Sequence, residues 1–366
     1  MTTVFNFDNK EWEGGFHPLL LGESPALYDS INVTYPKIFQ FYKDQKAADW
    51  SEDEIDLEQS RLDMIECPVD TRDLMLENLA LQWTADSIAV NSISSILAPF
   101  VTNSEYWIAI LKVTEIEGLH SLTYSEIVRR CIPDPNEIFN KILNSKEIVS
   151  RLSVVAECFN NAKRIGAMYT LGMVDKNTAY DAAMKAISAL YCLERLQFMV
   201  SFAATFAVVE QQWFQGIGKL VQKIMQDERF IHAELGKFVL QAEFKTIRGK
   251  QWLINNNEWC KSLIDEVKQE EYDWNEYLHS NGRKVVGFTK QLGVDWIDFN
   301  AQDVYPVFGL ESPTNIKKSP LKYMDNWLDL NKNQNAQQEG DSANYALNII
   351  YDDLGDEVID IENLGV

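Results

Sequence analysis

From Thr71 to Ile96 the chain reads TRDLMLENLALQWTADSIAVNSISSI. No Gly or Pro interrupts it, and Leu74, Leu76, Leu79, Leu81 and Ile88 recur at helical intervals. A periodic run of that length is satisfied by one long α-helix with a buried side. The next segment, TNSEYWIAILKVTEIEGLHSLTYSEIVRRC, opens on a capping run at Thr102-Asn103-Ser104 and stops near CIPDPNE. Further helical segments are expected at roughly 147–172, 177–208, 212–241, 257–280 and 283–298, with no convincing alternating strand between them. The first forty residues are mixed, and HPLLLGES and VTYPKI read as loops or short turns. With only 17 Gly and 10 Pro in 366 residues, the chain reads as all-α rather than as a propeller or other turn-rich β fold.

The charge balance removes one class of partner. Acids outnumber bases 55 to 33, for a net charge of −22, whereas phosphate backbones require clustered Lys and Arg. No nucleic-acid partner is expected. The five cysteines, Cys67, Cys131, Cys158, Cys192 and Cys260, are far apart and form no CxxC, which suits a reducing compartment. The opening MTTVFNFDNKEWEGG lacks the basic-then-apolar pattern of a signal peptide. The most apolar tract, LQFMVSFAATFAVV from Leu196 to Val209, is too short to span a bilayer and follows Glu194 and Arg195. These features predict a soluble cytoplasmic protein with no membrane partner.

Beyond Asn300 the character changes. No Lys or Arg follows Lys332, while eight acids fall between Glu339 and Glu362. The expected division is a helical domain over 1–330 and a flexible acidic tail over 331–366. Composition leaves open whether that tail is a solvated terminus or a segment that folds onto a partner.

Within EIEGLHSLTY, Glu117, His120 and Tyr124 stand at offsets 0, +3 and +7 and so share one helix face. A carboxylate and an imidazole so placed can grip one metal ion, but the pair is also common on solvated helices. Glu194 lies in ALYCLERLQFMVSFAATF, with Phe198 and Phe202 on its own stripe. It either turns out to pair with Arg195 or is buried and requires a cation. QDERFIH places Glu228 and His232 four apart on another helix, and LALQWTADSIAV carries Asp86 among apolar neighbours. Taken together, four long helices offer Asp86, Glu117 with His120, Glu194, and Glu228 with His232. That is the ligand set of a dinuclear carboxylate site in a ferritin-like bundle. Four carboxylates match two divalent cations, and carboxylate with imidazole suits iron or manganese.

With those residues in place, the chain resembles the small, radical-generating subunit of class I ribonucleotide reductase, from about PLLLGESPALYDS to the C-terminus. ADSI resembles the first-ligand segment and EGLHSLTY the Glu-x-x-His-x-x-x-Tyr motif. LERLQFMVSF and IMQDERFIH resemble the motifs of the third and fourth helices. The resemblance implies metal ligands Asp86, Glu117, His120, Glu194, Glu228 and His232, holding two Fe ions or, alternatively, two Mn ions or a mixed Mn/Fe pair. It implies Tyr124 as the radical-bearing residue and Phe198, Phe202 and Ile224 as walls of its pocket. It also implies Trp50, Asp227 and Tyr345 as radical-transfer residues, with Glu339 beside Tyr345 in the relay and Tyr351 competing for its role.

A homodimer is implied as well, with the large subunit engaged through IDIENLGV at the extreme C-terminus. The implied activity is reduction of ribonucleotides to deoxyribonucleotides on that large subunit; a related ferritin-like di-metal oxidase is the alternative. One departure stands out. The family's last motif sets Glu and His three apart, whereas Glu228 and His232 are four apart, and a local helix bulge is expected to absorb the extra residue.

Overall fold

The computed structural model describes residues 30–330 and, ahead of them, residues 6, 8, 9, 17–23, 27 and 28. In chain order the helices are α1 (Pro36–Ala47), α2 (Glu58–Glu66), α3 (Val69–Leu97), α4 (Ser104–Cys131), α5 (Asn136–Asn144), α6 (Lys146–Arg151) and α7 (Ser153–Thr170). Then come α8 (Lys176–Cys192), α9 (Phe198–Val209), α10 (Gln215–Asp227), α11 (Ala233–Lys245), α12 (Ile247–Asn255), α13 (Asn257–Leu278), α14 (Lys290–Ala301) and α15 (Lys322–Trp327). A π-helical turn, Leu193–Gln197, joins α8 to α9, and a second, Glu228–His232, joins α10 to α11. The only β-type pairing among the described residues is two isolated bridges, Leu20 to Val101 and Val285 to Phe288.

Four long rods form the bundle: α3, α4, α8 running through its π turn into α9, and α10 running through its π turn into α11. Helix α9, FMVSFAATFAVV, is apolar but for the Ser201 and Thr205 hydroxyls, and every residue of it is buried, so it occupies the centre. The rod 176–209 is long and apolar enough to cross a membrane, but the surrounding helices bury its apolar window entirely. Helix α4 starts where its sequence signals start: the Asn103 side chain accepts from the Tyr106 N–H at 2.8 Å. It ends with Arg129 and Arg130 in the last turn, next to the C-terminal end of the helix dipole.

Several expected boundaries move. VTYPKI is not all loop, because Pro36 opens α1, a position where its missing N–H costs nothing. The segment 147–172 divides at Leu152 (φ −104, ψ 5) into α6 and α7, because Arg151 turns inward to a buried ion pair. The segment 212–241 begins only at Gln215, after Phe214 takes a left-handed conformation (φ 57), and runs on to Lys245. The segment 283–298 begins only at Lys290. Asn281, Gly282 and Gly287 adopt positive φ in the turn before it, and Thr289 caps the helix by accepting from Leu292 N–H at 3.2 Å.

Candidate metal centre

The two uninterrupted rods come first. Helices α3 and α4 run antiparallel through the short connection 98–103, and Ser87 Oγ lies 3.0 Å from Ser121 Oγ, which fixes their register. That register brings Asp86 Oδ2 to 3.9 Å from His120 Nδ1, while Glu117 Oε2, three residues back on α4, is 3.8 Å from the same nitrogen. Asp86, Glu117 and His120 are all fully buried.

The other two rods meet this pair at their π turns. Glu194 is buried in the first turn, whereas Arg195 points away and donates to Asn300 Oδ1 and Asp303 Oδ2, each at 2.8 Å. The open question over Glu194 is thereby answered: it does not pair with Arg195. In the second turn, Glu228 Oε1 lies 2.9 Å from His120 Nδ1. His232 Nδ1 lies 2.9 Å from Glu228 Oε2 and 3.0 Å from Glu117 Oε1. The bulge expected from the four-residue step is present. A π turn carries more residues per turn, so the fourth residue on falls where the third falls in an α-helix.

Potential ligand atoms gather in two overlapping sets, each within 4.8 Å: Asp86, Glu117, His120 and Glu228, and Glu117, Glu194, Glu228 and His232. Glu117 and Glu228 belong to both, as carboxylates bridging two ions would.

The electrostatics describe groups that cannot be buried comfortably on their own. Burial, then the charges of Glu117 and Glu228, pushes the Asp86 carboxyl well above the usual range. Burial, then Glu228, does the same for Glu194 and raises Glu117. Glu228 is held well below despite its burial, because His232, Glu194 and His120 surround it. His232 rises to about 10 against its burial, through Glu228 and Glu117, and His120 also rises, through Asp227 and Glu228. Each buried ion costs several kcal/mol unless it is compensated. Both oxygens of Asp86 and of Glu194 nevertheless lack any hydrogen-bond donor. Four carboxylates and two imidazoles with orphaned buried oxygens fit two divalent cations, whose charge reverses this pattern.

The outer residues fall as follows. Asp227, just before the second π turn, lies 3.1 Å from His120 Nε2 through its Oδ2 and accepts from Trp50 Nε1–H at 2.8 Å through the same oxygen. Tyr124, one turn beyond His120, is fully buried and its hydroxyl has no partner. Burial, followed by the Asp86, Glu228 and Glu117 charges, holds its phenol well above the ordinary tyrosine range. Phe198 and Phe202 stack with ring centroids 5.6 Å apart, and Ile224 is fully buried in the same core. Glu339, Tyr345, Tyr351 and IDIENLGV lie outside the described residues.

Two residues of this environment had no sequence signal. Gln45 donates to Asp227 Oδ1 at 2.8 Å from α1, a helix that the mixed N-terminal sequence conceals. Gln82 lies one turn before Asp86, is fully buried, and has neither amide atom paired.

Comparison with known proteins agrees with this geometry. The family model for "Ribonucleotide reductase, small chain" matches residues 28–320. The ribonucleoside-diphosphate reductase subunit beta of Buchnera aphidicola subsp. Baizongia pistaciae is 25% identical, covering 93% of this chain and 94% of its own. The protein of the same name from Enterobacteria phage T4 is 24% identical, covering 98% of each chain. Among solved structures, the ribonucleotide reductase R2 subunit from Clostridium botulinum superposes with a TM-score of 0.74. It is 17% identical and covers 90% of this chain and 98% of that one. A dimanganese(II) NrdF protein from Streptococcus sanguinis reaches 0.63 at 16% identity, covering 81% and 97%. The ferritin-like bundle is thus the fold of this chain, and the di-metal oxidase alternative finds no support among these matches.

Proposed function

The chain belongs to the ribonucleotide reductase small-chain family, and on that premise we propose that it generates and stores a tyrosyl radical for a class I ribonucleoside-diphosphate reductase. The observation that carries this reading is the convergence of six ligands from four helices around two overlapping sites, with an unpartnered, fully buried Tyr124 one turn away. Asp86, Glu117, His120 and Glu228 would hold one cation, and Glu117, Glu194, Glu228 and His232 the other. When bound and oxidised by dioxygen or another external oxidant, two such cations would supply a strong one-electron oxidant beside Tyr124. The donor set accepts iron or manganese; we assign two Fe ions, with Mn/Mn and Mn/Fe as alternatives that loading experiments separate.

The chain's own residues account for the rest. Burial keeps the Tyr124 phenol neutral, so removing an electron requires its proton to leave with it. A phenoxyl radical survives where neither water nor an oxidisable side chain can reach it, and Phe198, Phe202 and Ile224 supply such walls. Asp227 holds His120 through Nε2 and so directs Nδ1 at the carboxylates, as outer carboxylates do for ligating histidines. The same carboxylate holds the Trp50 indole, which gives a hydrogen-bonded route from the site to a half-buried ring. From Trp50 the hole would pass by way of Tyr345, with Glu339 beside it, to the large subunit, on which IDIENLGV docks.

Partnership with a large subunit, and dimerisation, follow from the family. We take residues 331–366 as the docking tail, a role supported by their acidic, mixed-apolar composition. Five free cysteines fit a cytoplasmic setting.

The test is to load metal-free protein with Fe(II) or Mn(II), add oxygen, and record metal content and the EPR spectrum. Two ions per chain and a tyrosyl signal that disappears in Tyr124→Phe are expected. Fewer than two ions under every loading condition would sink the reading.

A further inference from the structure

The two π turns are held in different ways. Glu228–His232 carries two ligands of its own, so both ends of that turn are tied to the centre. Leu193–Gln197 carries only Glu194, and one carboxylate cannot fix a five-residue irregularity in a helix. Its last residue is gripped from outside instead. Arg151, at the end of α6, donates from Nη2 to the Gln197 carbonyl oxygen, and the Gln197 side-chain amide donates back to the Arg151 carbonyl oxygen at 2.6 Å. The same amide donates to Glu270 Oε2 at 2.7 Å, while Glu270 Oε1 accepts from Ser153 Oγ at 2.6 Å and from the Val154 N–H at 3.1 Å. The guanidinium is in turn fixed by a two-pronged contact with Glu271, at 2.5 and 2.7 Å, and lies over the Trp274 ring at 5.1 Å. Arg151, Gln197 and Glu271 are buried.

A fully desolvated arginine with a bidentate partner is a rigid support. A helix carbonyl taken by a side chain from another element is what a stretch departing from the α pattern requires. We propose that the Arg151–Gln197 bracket, anchored on Glu270 and Glu271, is a positioning device that keeps the first π turn in register and thereby sets the Glu194 carboxylate in the second metal site. The proposal rests on the dinuclear reading above and deepens it, since it assigns one of the two sites a support that the other does not use.

The experiment uses full-length, metal-free protein and Mn(II) alone, titrated by EPR of the free ion. Gln197→Met removes the two hydrogen bonds of the Gln197 side-chain amide and leaves the Arg151–Glu271 pair and the Arg151 bond to the residue 197 carbonyl intact. Arg151→Lys keeps a charge for Glu271 but loses the fork. In an Asp86→Ala background, where the Glu194 site remains, either change should weaken Mn(II) binding about tenfold or more. In a Glu194→Ala background, where the Asp86 site remains, binding should stay within about twofold. Equal weakening at both sites marks a merely structural role and overturns the proposal, as does unchanged binding at the Glu194 site.

Hydrogen exchange on the wild type gives a reading that does not depend on any variant folding. Amides of 193–201 should be as protected as those of α8, and rapid exchange confined to the π turn would overturn the bracket. If the wild type itself takes fewer than two Mn(II), the dinuclear reading fails and the bracket fails with it. If it takes two while the bracket variants bind normally, only the bracket fails.

Discussion

Half of the centre stands on unbroken α-helices and half on π turns. Helices α3 and α4 deliver Asp86, Glu117 and His120 by ordinary helical geometry, where three residues of spacing suffice to share a face. The other two rods deliver Glu194, Glu228 and His232 from turns in which that geometry is suspended. The regular half depends on register between two helices, so any slip within one is transmitted to everything after it. The irregular half has already absorbed an extra residue in each rod, and its ligands depend on what restrains each turn.

The comparison can be broken most severely by deleting single residues. Removing Leu119 from α4 rotates every later residue by roughly 100° and takes His120 and Tyr124 off the site's face. Loss of both ions and of the radical is expected, read by metal analysis and EPR. Removing Phe230, half-buried in the second π turn, should convert that turn to α-helix with Glu228 and His232 three apart. Two ions per chain should still bind; a protein that bound none would show the bulge to be a requirement rather than an accommodated insertion.

Ligand substitutions come next in size. Glu228→Ala, which strips a residue common to both sets, should abolish binding of both ions, whereas Glu194→Ala should cost one. Equal losses would contradict the overlapping arrangement. Truncation after Asp341 is expected to leave metal content and the tyrosyl signal intact and to abolish turnover with the large subunit, and retained turnover would refute the tail's role. The smallest effect belongs to the outer shell. Asp227→Asn keeps the shape but weakens the contacts to His120 and Trp50, and should lower activity or metal affinity about 10- to 100-fold. The radical yield per bound metal, measured beside turnover, separates a defect in assembly from one in transfer.

Particular residues show how far the sequence could be read. Glu117, His120 and Tyr124 were legible because a helix converts offsets of three and seven into one face. Glu228 and His232 signalled their own irregularity, since a candidate acid–imidazole pair at an unexpected spacing reveals the extra residue between them. The first π turn gave no such sign: Glu194 is the one candidate ligand on it, and one residue has no spacing to violate. The division of 147–172 at Leu152 was hidden for a related reason, because the inward turn of Arg151 answers to Glu271, 120 positions away. Gln45 was hidden because its partner, Asp227, lies 182 positions away in the chain.

The sequence by itself determined the helical class, the long rods and the six acid and imidazole positions that converge in the core, because hydrophobic period and side-chain chemistry are local properties of the chain. Only the tertiary structure decided which way Glu194 faces, that Asp227 joins Trp50 to His120, and that an arginine from α6 closes on the first π turn. Those outcomes depend on where buried charges find partners, and the cost of leaving one unpaired is settled between segments far apart in the chain.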